Sequence, residues 1–317
     1  MEDVSARSKR MVIALGGNAI LTDDPSADAQ IKALERTCAQ IVPLIQAGKE
    51  VIITHGNGPQ VGNLLLQQLQ GSSDHSPAMP LDTCVAMTQG SIGYWTVLAL
   101  KTELKRAGLD RRVDVLMTTT AVSADDPAFS HPTKPIGPFL TEDEARRAHE
   151  IDGCTYVEDS GRGWRKVVAS PTPLDVPGSA CIPELAARGD IVVCVGGGGI
   201  PVIETDDGFK GVEGVIDKDL TAEKLAEIVD ADLLVICTGV DNVCVDFNKP
   251  TERPLGRVSC EELEGFIAEN QFPKGSMLPK IQACMKFVRS SAFRSAVITS
   301  LEKLSRIDEG AGTRIVS

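Results

Sequence analysis

The sequence predicts an α/β fold built on an open sheet whose strand ends face one ligand crevice, and three observations carry that prediction. First, continuous apolar runs such as Met11-Val12-Ile13-Ala14-Leu15 have the texture of strands buried on both faces. Second, three such runs end in glycine-rich loops: Gly16-Gly17-Asn18, Gly56-Asn57-Gly58 and Gly196-Gly197-Gly198-Gly199. Third, helical patterns alternate with these strands, and the repeated order of strand, glycine loop and helix gathers the strand ends around a shared cleft.

Taken in order, helices are expected over 28–47, from the second glycine loop to 69, over 81–106, 181–188 and 221–229, and from the 275–280 motif to 290. Strands are expected over 11–15, 51–54, 113–119, 191–195, 233–237, 243–245 and 296–299. Gly48 stops the first helix, and the small residues of Gly90-Ser91-Ile92-Gly93 interrupt the third just before Tyr94 and Trp95. Small residues beside aromatics suit a dimer surface, and they suit packing inside one subunit equally. Prolines at 127, 132, 135, 138, 171, 173 and 177 break the rhythm, so 126–178 is expected to be an inserted lid subdomain of a single domain spanning 1–317, with a short helix over 141–149.

Composition narrows the function. A chain of 317 residues that is 42% hydrophobic can bury a sizeable core. Its net charge of −12 disfavours nucleic-acid and membrane-surface partners, so any phosphate site must be locally basic. No apolar run is long enough to cross a bilayer, and 1–10 lacks the apolar core of a signal peptide. The nine scattered cysteines include no Cys-x-x-Cys pair, which points to free thiols in a reducing cytosol and to no zinc site.

The chemistry concentrates at Gly214-Val215-Ile216-Asp217-Lys218-Asp219-Leu220. Lys218 and Asp219 fall where a helix start presents unpaired N–H groups, a place to hold an anion. Lys280 lies in another first turn, where the helix dipole disfavours a cation unless an anion is present. Lys134 is braced by Pro132 and Pro135. Each feature alone also fits a solvated loop or helix end. His55 could serve as an acid or base, although a histidine bonded to its own loop is the better reading. No phosphate-loop or protein-kinase signature is present, so a nucleotide would bind by another architecture.

Together these segments closely resemble carbamate kinase, of the amino acid kinase superfamily. The likeness runs through Ala14-Leu15-Gly16-Gly17-Asn18-Ala19, His55-Gly56-Asn57-Gly58-Pro59-Gln60-Val61-Gly62, Lys134-Pro135, Gly161-Arg162-Gly163-Trp164, Gly196-Gly197-Gly198-Gly199-Ile200-Pro201, Ile216-Asp217-Lys218-Asp219-Leu220 and Gly275-Ser276-Met277-Leu278-Pro279-Lys280. The resemblance implies a three-layer αβα sandwich around a mostly parallel sheet, with a protruding subdomain, in a cytoplasmic homodimer. It also implies reversible phosphoryl transfer between ATP and carbamate, commonly run toward ATP from carbamoyl phosphate and ADP at the end of arginine fermentation. Lys134, Lys218, Asp219 and Lys280 would be catalytic, with Asp219 organising the lysines. Gly16, Gly17, Asn18, Gly56, Asn57 and Gly58 would cradle carbamate and phosphate. Gly197, Gly198, Thr238, Val240, Asp241, Val243, Cys244 and Met277 would meet the nucleotide, and modification of Cys244 would block its binding. Mg2+ would be held mainly by the nucleotide phosphates, with no metal cage from the protein.

Carbamate already carries an anionic oxygen, so no general base is needed; alignment and charge neutralisation are. Other amino acid kinases, acting on acetylglutamate, aspartate or glutamate, are the nearest alternatives. The missing arginine among the Gly16 and Gly56 loops favours a small substrate. A nucleotide-binding sensor without catalysis would not need the three lysines, and a dehydrogenase would need Gly-x-Gly-x-x-Gly after the first strand.

Overall fold

The computed structural model describes residues 9–20, 24–159 and 161–317; the 1–8 part of the segment judged for a leader lies outside them. In chain order the first half comprises β1 (Arg10–Leu15), α1 (Ala27–Gln46), β2 (Glu50–His55), α2 (Gly58–Gln70), α3 (Leu81–Arg106), β3 (Val113–Val115), β4 (Thr119–Ala121), β5 (Lys134–Leu140), α4 (Glu142–Asp152), β6 (Tyr156–Glu158) and β7 (Trp164–Val168). Next come α5 (Ile182–Ala187), β8 (Ile191–Val193), β9 (Ile200–Thr205), β10 (Gly208–Gly211), α6 (Lys218–Ile228) and β11 (Leu233–Thr238). The chain ends with β12 (Cys244–Val245), β13 (Arg253–Pro254), β14 (Arg257–Ser259), α7 (Cys260–Ala268), α8 (Met277–Arg289), β15 (Ser295–Ser300) and β16 (Thr313–Val316).

Eight strands form the main sheet, in the order β14-β16-β15-β11-β1-β2-β8-β3. Every pairing in it is parallel except β15 with β16. Alternation along β1 divides the core: Met11, Ile13 and Leu15 pack on the α1 and α3 side, while Val12 and Ala14 pack on the α6 and α8 side. With helices on both faces, the architecture is a three-layer αβα sandwich and the central strands are apolar throughout. β1 lies between β2 and β11, which leave it on opposite sides, so the crevice opens at the ends of these three strands.

Segment 126–178 carries its own antiparallel sheet, β5-β7-β6, with α4 beside it. Thr141 and Glu144 close a capping box that starts α4 at Glu142. This sheet meets the body through Ile136 and Val168, which join Val61, Leu81 and Val85 in a small separate cluster.

Two expectations are corrected. α3 runs unbroken through Gly90–Trp95, because a side chain at Gly93 would meet Val115 at 2.7 Å; the small residue lets the helix lie on β3. The expected strand over 113–119 splits, with β3 in the main sheet and β4 pairing β9 in another. Gln89 causes the break by bonding both the N–H and the C=O of Thr118, which draws the chain out of the main sheet.

Candidate active site

The first turn of α6 is set by Asp217, which sits in extended backbone as the N-cap and accepts the Asp219 N–H at 2.9 Å. Leu225 and Val229 anchor the helix in the core, and Leu220 and Ile228 pack against it. Lys218 and Asp219 are thereby fixed at the end facing the crevice.

Three lysines from three segments converge there. Lys218 Nζ bonds Asp219 Oδ1, and Lys280 Nζ, from the first turn of α8, bonds Asp219 Oδ2 at 2.9 Å. Lys134 Nζ, from the start of β5, bonds Asp217 Oδ2 at 2.6 Å. Burial works to raise the pKa of both carboxylates, but the ammonium groups outweigh it and hold both below the usual range. Burial likewise disfavours the Lys280 ammonium, and Asp219 more than restores it. Three ammonium groups against two carboxylates leave one net positive charge in a chain that is acidic as a whole. That is a local anion site of the kind phosphoryl transfer needs.

The glycine loops border this cluster. A side chain on Gly16 would meet the Cys237 carbonyl at 2.8 Å, so the first loop lies directly on the end of β11, and the space beside Gly17 is open. Asn18 follows in a short turn. At Gly56 an added Cβ would touch Lys218 Cδ at 3.2 Å, so the lysine stem crosses the loop where a side chain is missing. Gly58 opens α2 near the Pro135 carbonyl. Asn57 is buried and donates to Thr88 Oγ1 at 2.9 Å. His55 bonds the carbonyl of its own loop at Gly56, and burial pushes its pKa down to about 4, so it is neutral at physiological pH.

Beside Lys280 lies a cavity of about 260 Å³, lined by Thr238, Val240, Cys244 and Met277. Asn242 lines it as well, together with Phe247 and Phe272, which carry no signal in the sequence. Gly197, Gly198, Asp241 and Val243, also assigned to the nucleotide, are not among the residues that line this cavity. Gly197 and Gly198 are buried in left-handed backbone, where side chains would strike Asn57 at 2.3 Å and the Ile216 carbonyl at 2.6 Å. Val243 is a core residue whose N–H donates to Thr313 Oγ1, and Asp241 accepts from Ser300 Oγ at 2.6 Å. Burial raises the Cys244 thiol, with Glu252 adding to the effect. A larger cavity of about 790 Å³ lies between β7, α2 and β10 and contains no residue of the lysine cluster. Asp217 is a further member of the site, and its only mark in the sequence is an aspartate immediately before a helix.

Among the described residues no group of three or more His, Cys, Asp or Glu could hold a metal ion, and both carboxylates of the cluster are already engaged by lysines. No helix among them is long and apolar enough to cross a membrane.

This fold and cluster define a phosphotransferase of the amino acid kinase type. The description of that family, "Amino acid kinase family", matches the chain over residues 9–300. Carbamate kinase 1 of Enterococcus faecium is 55% identical over 307 residues, which cover 96% of this chain and 98% of the relative. A carbamate kinase from Giardia lamblia solved with citric acid superposes with a TM-score of 0.92 at 37% identity, covering 98% of this chain and 99% of the other. The same Giardia enzyme bound to AMP-PNP gives a TM-score of 0.88 at 38% identity, again covering 98% and 99%. The chain belongs to the amino acid kinase family and, within it, to the carbamate kinases.

Proposed function

We propose that this protein transfers a phosphoryl group reversibly between ATP and carbamate, and that it works in the direction of ATP formation from carbamoyl phosphate and ADP, closing arginine fermentation in the cytoplasm. The observation that carries the reading is the convergence of Lys134, Lys218 and Lys280 on two carboxylates beside the Gly16 and Gly56 loops. An acidic chain has no structural reason to gather three cations at one crevice.

The roles follow from position. Asp219 holds Lys218 and Lys280 at a fixed separation, so both ammonium groups point at one phosphoryl group without reorganising as its charge develops. Loop N–H groups at Gly16, Gly17, Asn18, Gly56, Asn57 and Gly58 orient carbamate and phosphate. The cavity of about 260 Å³ takes the adenosine end, with Phe247 and Phe272 offering flat apolar walls to a base. Mg2+ would come with the nucleotide, held mainly by its phosphates, and would neutralise part of their charge beside the lysine cluster. Segment 126–178 acts as a lid that brings Lys134 to the crevice. Met87, Tyr94 and Leu98 form an exposed stripe at helical spacing along α3, Tyr94 being 59% exposed, and this stripe is the homodimer face.

The test is coupled formation of ATP from carbamoyl phosphate and ADP, run beside assays of acetylglutamate and aspartate as acceptors from ATP. Turnover with carbamoyl phosphate alone is expected. Turnover with either amino acid substrate instead would reassign the substrate and leave the fold intact.

A further inference from the structure

The carboxylate of Asp217 is shared between two tasks. Its Oδ1 accepts the Asp219 N–H and so caps α6, while its Oδ2 accepts Lys134 Nζ at 2.6 Å. One side chain thus fixes the start of the helix that carries Lys218 and Asp219 and also holds the lysine delivered from 83 residues away. Asp217 is the only ion-pair partner of Lys134 among the described residues.

The two carboxylates of the cluster differ in exposure. The side chain of Asp219 is 4% exposed and both of its oxygens are taken by lysines of the body. The Lys134–Asp217 pair is 26% and 25% exposed. A pair that water reaches is open to an incoming anion, which can take over the ammonium, whereas the buried Asp219 pairs are closed to it. The β5 strand is held close by other contacts. A Cβ on Gly62 of α2 would meet Gly137 Cα of β5 at 2.0 Å, and the Val215 N–H, just before α6, donates to the Ala169 carbonyl just after β7. Backbone packing brings β5 near the cluster, while the pair with Asp217 ties down the first residue of the strand and decides where the Lys134 ammonium points.

We propose that Asp217 is a positioning residue for phosphoryl transfer, its carboxylate holding Lys134 at the edge of the lysine cluster until a phosphoryl oxygen takes the ammonium over. The inference rests on the phosphoryl-transfer reading above. It separates the two halves of substrate handling. Asp217 adds a negative charge beside the anion site, so removing that charge favours anion binding while leaving Lys134 unaimed.

Asp217→Asn isolates this effect, because an asparagine oxygen still caps the helix. In the direction from carbamoyl phosphate, kcat is expected to fall about tenfold to a hundredfold, the scale of a misplaced reacting group, with no rise in KM for carbamoyl phosphate. In a Lys134→Ala background the same change is expected to add no further loss, since the two residues act as one unit. Hydrogen exchange over 134–140 in the nucleotide-free protein is expected to be faster in Asp217→Asn than in the wild type. Multiplying losses in the double variant, a raised KM with kcat retained, or unchanged exchange would each overturn the proposal. Should Asp217→Asn not fold, Lys134→Gln gives the exchange comparison from the other side of the pair. If the wild type does not use carbamoyl phosphate at all, the reading of the reaction fails, and the exchange result still decides whether Asp217 holds the strand.

Discussion

Asp219 and Glu223 stand one turn apart on α6, both are almost wholly buried, and each is reached by a lysine of α8, yet their charges are treated in opposite ways. Asp219 has two largely buried lysines, one on each oxygen, and these hold its pKa below the usual carboxylate range in spite of its burial. Glu223 has one, Lys286, whose side chain is 56% exposed and bonds Oε2 at 2.7 Å, while Oε1 is buried without a hydrogen-bond partner. Burial, with Glu227 adding to it, pushes the Glu223 pKa up to about 7. Burial alone penalises a carboxylate; the number of partners, and whether water competes for them, decides the outcome. The crevice end of the α6–α8 interface is therefore built to keep charge, and the next turn is not.

Breaking the crevice end gives the largest expected effect. Asp219→Ala leaves Lys218 and Lys280 without their shared carboxylate, so they repel each other and scatter. Activity should fall by about a thousandfold or more, with stability lowered by roughly 3–5 kcal/mol, the scale of an uncompensated buried charge. Steady-state kinetics and chemical denaturation measure the two parts. Activity within tenfold of the wild type would remove the electrostatic argument for the site.

Exchanging single lysines along α8 sharpens the contrast. Lys280→Met is expected to lower kcat about a hundredfold, because one of the cations stabilising the transferring group is gone. Lys286→Met, one and a half turns further on, is expected to change kcat by no more than about twofold, as an exposed partner contributes little. Equal losses in the two variants would mean that the whole interface, and not its crevice end, governs turnover.

The unequal treatment of these residues also explains what the sequence made legible. β1, β2 and β11 were evident because a parallel strand buried on both faces must be apolar throughout, and their ends located the crevice. Lys134, Lys218 and Lys280 could be tied together only by resemblance, since their convergence depends on contacts 61 and 83 residues apart that no local pattern encodes. Asp217 was hidden because an aspartate before a helix is ordinary in any protein. Gly197 and Gly198 read as a ligand-binding loop in sequence, and left-handed backbone with close packing on Asn57 and Ile216 is a second, independent reason for glycine there. Phe247 and Phe272 gave no signal, as a cavity wall assembled from distant loops has no period. The break after β3 was equally silent, because it depends on one glutamine of α3 reaching across to Thr118.

The smallest effect tests the second carboxylate. Folding raises the Glu223 pKa from the ordinary 4.5 to about 7, so the folded state holds that proton more tightly than the unfolded chain. The resulting stabilisation is fully present below the unfolded value and is lost as pH rises through about 7. Glu223→Gln fixes the side chain in the neutral state and removes this slope. Thermal melts at constant ionic strength should therefore show wild type and variant alike at pH 4, and the variant more stable by roughly 1–2 kcal/mol at pH 8. Turnover should stay within about twofold, since Glu223 lies beyond the crevice and its lysine faces water. A gap of the same size at both pH values would show that the charge of Glu223 is irrelevant. A variant less stable than the wild type at pH 8 would mean that the Lys286 pair stabilises the ionised form after all, and the two turns of α6 would then follow one rule.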